Sequence, residues 1–210
     1  MRASAGIAAL VGLVFLMLAA PSLMAAGSQQ QTPGPLVNDA DALFSAGHIW
    51  REFLAAARAQ RPRWQKLASR AHPPADLVQR FRAAGKGLRL VIVAEDWCPD
   101  SVEVVPYVVA MADSAGVPVR LVDRRQGASL MQQFRTSDGR PATPTIALVR
   151  AGVAVAAWVE RPALVQQWFY AMATSPEAAK QFETRQEWFD RDGGRTALSE
   201  LTELAERSVK

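Results

Sequence analysis

The chain has 210 residues, 50% hydrophobic and 21% charged, with a mean hydropathy of -0.01, which suits a globular protein and excludes a disordered tail or a multi-span membrane protein. Its one cysteine, Cys98, excludes an intramolecular disulfide, and together with His48 and His72 it falls short of a zinc ligand set. The net charge of +4 comes mostly from scattered arginines with no compact basic run, which argues against nucleic-acid binding.

Met1 and Arg2 precede a stretch without charged side chains that runs to Ala26, with small residues at Ala25, Ala26 and Gly27. Residues 1–26 therefore read as a secretory signal. The rival reading is an uncleaved membrane anchor, because the uncharged stretch has about the length of a bilayer span. Either reading puts the folded part outside the cytoplasm, in the periplasm or secreted. Residues 27–38, rich in Gln, Gly and Pro, read as a flexible leader.

Residues 39–86 read as a helical extension. Asn38 or Asp39 caps a helix whose apolar positions Leu43, Phe44, Ile49, Trp50, Phe53 and Leu54 keep a helical rhythm. Trp64 and Leu67 mark a second helix. Leu77, Val78 and Phe81 mark a third, which Gly85 and Gly87 end. The character changes at Leu88. Leu88 to Ala94 is short, β-branched and apolar, as a strand buried on both faces should be. Over residues 87–174 strands and helices then alternate: a helix from Asp100 to Ala115, a strand at Val117–Val122, and a short helix from Ser129 to Phe134. Strands at Thr145–Val149 and Val153–Val159 are close enough to form a hairpin, and a helix begins at Pro162. Residues 175–210 read as further helices, one containing Phe182, Trp188 and Phe189, and one lined by Leu198, Leu201 and Leu204.

The first strand runs directly into Glu95-Asp96-Trp97-Cys98-Pro99-Asp100-Ser101 and then into a helix. Cys98 thus stands at a helix N-terminus, where free amide groups and the positive end of the helix dipole favour a thiolate and expose the sulfur at the carboxyl edge of the sheet.

With its βαβ unit, helix, hairpin and final helix around a Trp-Cys-x-x-Ser turn, the chain resembles the thioredoxin family. Trp97 stands at the tryptophan position before the nucleophile, and Pro106 falls where family members carry a kinking proline in the first helix. Thr143-Pro144-Thr145 occupies the place of the cis-proline loop. Asp96-Trp97-Cys98-Pro99-Asp100 and Trp158-x-x-Arg161-Pro162 further resemble a poorly characterised branch with a Trp-Cys-x-Asp-Cys site and a Trp-Gly-x-Arg-Pro turn. The resemblance implies an α/β thioredoxin-like fold, a central mixed sheet flanked by helices, with an N-terminal helical extension and C-terminal helices. It also implies that Thr143 offers its backbone to an extended substrate strand, and that Trp97, Pro99, Asp100 and Pro144 shape the substrate site.

Two departures bear on chemistry. Ser101 stands where the family has its resolving cysteine, so Cys98 works as a monothiol, with Ser101 as a hydrogen-bond donor to its sulfur. Ile92 occupies the position of the buried strand carboxylate, and Asp100 would oppose a nearby thiolate by like-charge repulsion. The expected activity is thiol–disulfide exchange through a mixed disulfide at Cys98, on protein or small-molecule thiols and disulfides. No cofactor pattern is present, and the external reductant is glutathione or a partner thiol. The alternatives are a non-redox binding or scaffold protein that uses the proline groove or the flanking helices, and peroxide sensing through a sulfenic acid. His48 and His72 read as surface or capping residues, Trp50, Trp64, Trp168 and Trp188 as core, and Trp158 and Arg161 as structural, with Arg161 pairing a carboxylate.

Overall fold

The computed structural model describes residues 40–175 and 185–209. The signal segment, the leader, the Asn38 or Asp39 cap and the helical stretch around Phe182 lie outside the described residues. In chain order the elements are α1 (Ala40–Ala46), α2 (Trp50–Ala56), α3 (Arg61–Arg70), α4 (Ala75–Ala84), β1 (Leu88–Val93), α5 (Pro99–Ala115), β2 (Val119–Val122), α6 (Ala128–Gln133), β3 (Thr145–Arg150), β4 (Val153–Val159), α7 (Ala163–Thr174), α8 (Arg185–Asp192) and α9 (Arg195–Arg207).

The sheet order is β2-β1-β3-β4. β1 pairs parallel with β2 through the α5 crossover and antiparallel with β3, and β3 pairs antiparallel with β4. The unbroken apolar run of β1 follows from its central place. Leu88, Leu90 and Ile92 join the core shared with α3, α4, α5 and α9, whereas Val91 and Val93 join the opposite core with α1 and α6. Each such side chain contributes about 1.5–3 kcal/mol by leaving water, so a polar residue on either face would disrupt one of the two layers. Ala151 and Gly152 make the two-residue hairpin turn with φ of 48° and 82°, the positive values that two-residue hairpins favour and glycine adopts without strain.

One expected element divides in two. The rhythm from Leu43 to Leu54 suggests one helix, but the chain breaks between Ala46 and Trp50, where His48 forms an antiparallel bridge with Leu121 of β2. Its N–H donates to the Leu121 carbonyl at 2.8 Å and its carbonyl accepts from Leu121 N–H at 2.9 Å. Gly47 permits this approach, since a Cβ there would lie 2.8 Å from Arg120 Cβ and 3.1 Å from the Leu121 carbonyl oxygen. Among the described residues no helix is long and apolar enough to cross a membrane.

Candidate active site

β1 delivers the chain at Val93 into the Glu95–Trp97 turn, where Cys98 N–H donates to the Glu95 carbonyl at 3.1 Å. Cys98 is the N-cap residue of α5, with Pro99 in the first helical position, and its carbonyl accepts the Val102 N–H at 3.1 Å. The helical extension holds this turn from outside. The Asp96 carboxylate accepts the N–H groups of Arg58 and Ala59 at 2.7 and 2.9 Å, and the indole of buried Trp64 donates to the Asp96 carbonyl at 2.9 Å. Gln60 donates to the Trp97 carbonyl at 2.8 Å, and Glu95 accepts the Arg124 N–H at 2.8 Å. Local sequence carries no sign of these partners, because each lies about thirty or more residues away.

The Thr143–Pro144 bond is cis, and its loop lies directly against the sulfur: Cys98 Sγ donates to the Thr143 carbonyl at 3.2 Å. The sulfur is covered where the sequence suggested exposure. Cys98 is only 6% exposed, with the Thr143 carbonyl against its sulfur, while the neighbouring Trp97 is 51% exposed. Pro99 is exposed beside it. Ser101 is fully buried and its Oγ makes no hydrogen bond, the expected one to Cys98 included. Pro106 lies deeper in α5, where it lines a groove of about 540 Å³ together with Trp50 and Val109.

Asp100, buried two residues after Cys98, does not stand alone. Its carboxylate accepts from Arg161 Nη2 at 2.9 Å and pairs with Arg185 of α8. The same Arg161 nitrogen pairs with Glu160 at 2.6 Å, and its guanidinium lies 3.9 Å from the Phe169 ring centroid. Glu160 also meets Arg140 at 3.2 Å, and Arg140 meets Asp138 at 2.6 Å. Partial burial works to raise the Asp138 carboxyl, but hydrogen bonds from Arg140 and Thr136 outweigh it and bring it to about 2. Glu160 holds a φ of 69°, a strained conformation for a residue with a side chain, and its N–H donates to the Pro144 carbonyl at 2.7 Å. Trp158 is buried at the end of β4 and donates to Glu200 of α9 at 2.7 Å. Glu200 also accepts the Ala163 N–H at 2.9 Å; burial pushes its carboxyl above the ordinary value, and these two donors only partly offset the push.

The sequence matches the thioredoxin family over residues 47–180. Among solved structures the chain is similar to a protein of unknown function from Pseudomonas aeruginosa, at 17% identity and a TM-score of 0.61 over 79% of this chain and 96% of that one. It is similar to an HIV epitope-scaffold at 18% identity and a TM-score of 0.60, with the same coverage. At these identities the likeness is one of fold. No curated protein matches the sequence. With a four-stranded mixed sheet flanked by helices and a family match over more than half its length, the chain belongs to the thioredoxin family.

Proposed function

We propose that the protein is an exported monothiol member of the family, from the branch with a Trp-Cys-x-Asp-Cys site but with Ser101 in place of the second cysteine, that carries out thiol–disulfide exchange through Cys98. The observation that carries this reading is the contact of Cys98 Sγ, at the start of α5, with the Thr143 carbonyl just before cis Pro144. The Cys98 thiolate attacks one sulfur of a substrate disulfide, forming a Cys98–substrate bond as the substrate S–S bond breaks and the other sulfur leaves as a thiolate. A second thiol, glutathione or a partner cysteine, then attacks the substrate sulfur of the mixed disulfide, forming a new disulfide with it as the Cys98–substrate bond breaks and Cys98 leaves as a thiolate. One substrate sulfur is thereby reduced to a thiol while the external thiol is oxidised into the new disulfide, and no step passes through Ser101. Loss of the S–H proton also frees the Thr143 carbonyl, which then accepts an N–H from an extended substrate strand.

The test is incubation with oxidised glutathione followed by intact-mass spectrometry. One glutathione per native chain, absent in Cys98→Ser and removed by dithiothreitol, is the expected result. Modification of the urea-unfolded chain but not of the native one would refute the proposal. A second reading, a non-redox binding protein, is favoured by the exposed apolar side chains of Trp97 and, at 43%, Leu164. In that case Cys98→Ala keeps the partner that the native protein binds.

A further inference from the structure

Two chemical links join the α5 start to the proline loop, and together they close a ring around Cys98. The first is the thiol itself, through Thr143. The second runs from the Pro144 carbonyl to Glu160 N–H, across the Glu160 side chain to Arg161, and from Arg161 to Asp100. Asp100 is two residues from Cys98, which completes the circuit through the helix backbone. Arg161 is the only member of the ring that touches both carboxylates, and it is 9% exposed, so its charge is little screened by water.

Resting on the exchange reading above, the geometry points to Arg161 as a positioning residue for Cys98: it cancels the Asp100 charge in the first turn of α5, two residues from Cys98, and anchors the proline loop through Glu160. The charges along this path alternate. Asp100, Glu160 and Asp138 are matched by Arg161, Arg185 and Arg140, so these six residues carry no net charge among themselves and the Asp100 carboxylate is not left unmatched. Both ion pairs of Arg161 run through Nη2 alone, so a lysine ammonium can supply the same charge.

A sign pattern separates this role from a merely structural one. The rate of Cys98 alkylation by iodoacetamide is measured at neutral pH and low salt on the full chain, with each variant's urea midpoint recorded. Asp100→Asn leaves the arginines in excess and raises the rate, while Arg161→Gln leaves the carboxylates in excess and lowers it, each about three- to tenfold for one unit charge near the sulfur. The double variant Asp100→Asn with Arg161→Gln returns to within about twofold of native by the same charge balance, and Arg161→Lys stays near native. Where Arg161→Gln fails to fold, Asp100→Asn and Arg161→Lys decide between them. A fall or no change in Asp100→Asn, or loss of rate in folded Arg161→Lys, would overturn the assignment. Alkylation needs no disulfide substrate, so the two readings fail separately. The sign pattern without a glutathione adduct removes the exchange reading alone. An adduct with flat alkylation rates removes the role of Arg161 alone, and a native thiol that never alkylates removes both.

Discussion

Trp64 links the helical extension to the site most directly, and replacing it with phenylalanine puts that link to the test. The side chain is fully buried, with its ring centroid 5.9 Å from that of Trp50 and 5.2 Å from that of Phe53. Its Nε1–H is a donor to the Asp96 carbonyl, two residues before Cys98. Trp64→Phe keeps an aromatic ring but removes that donor, and leaving a part-buried carbonyl without its partner costs about 1–2 kcal/mol. The smaller ring loses about 40 Å² of buried apolar area, about 1 kcal/mol at 25 cal/mol per Å². The sum is about 2–3 kcal/mol, and with a urea slope of about 2 kcal/mol per M for a domain of this size it moves the midpoint down by about 1–1.5 M. Urea unfolding followed by far-ultraviolet circular dichroism reads the shift, and hydrogen exchange at the Trp97 and Cys98 amides reads the loosening of the turn. A midpoint within about 0.3 M of native at an unchanged slope would refute the view that the extension braces the site.

Two further predictions concern stability. Burial raises the Glu200 carboxyl above its unfolded value, so over the pH window just above 4.5 the folded chain holds the proton longer than the unfolded one. Stability therefore falls as pH rises through that window, by less than about 1.4 kcal/mol per pH unit, and levels off above the folded value. Glu200→Gln does not titrate, so the difference in stability between native protein and variant should shrink or reverse from pH 4 to 7; a flat or rising difference would contradict the assignment. At Gly194 the φ is 77°, and a Cβ would lie 2.4 Å from Tyr107 Cγ. Gly194→Ala should cost about 2 kcal/mol or more, about 1 kcal/mol of it from the left-handed backbone. In a Tyr107→Ala background the cost should fall but stay above the backbone part, because Tyr107 Cβ, 2.7 Å from the added Cβ, is kept; an equal cost in both backgrounds would show that the ring is not the obstacle.

Features set by neighbouring residues are legible in the sequence, and those set across the fold are not. The β1 run, the α5 start and the hairpin follow from residues adjacent in the chain, and the resemblance marks Cys98, Thr143 and Pro144 as one site. The break at His48 escapes periodicity, because its cause is Leu121, seventy-three residues on. The covering of Cys98 comes from Thr143, forty-five residues away. Arg161 is suggested by the Arg-Pro turn, but Glu160, Arg140 and Arg185 carry no local mark; the Arg185 contact spans eighty-five residues. Ser101 reads from sequence as a donor to the sulfur, yet the helix buries its hydroxyl without a partner and the thiol turns to a backbone carbonyl.

The His48 bridge does more than interrupt a helix. β2 is an outer strand four residues long, and one residue from the extension occupies both main-chain groups of Leu121 that would otherwise face a neighbouring molecule. Uncovered strand borders invite intermolecular pairing and aggregation. Since synthesis runs from the N-terminus, residue 48 emerges before residue 121, so the guard exists before the border it protects.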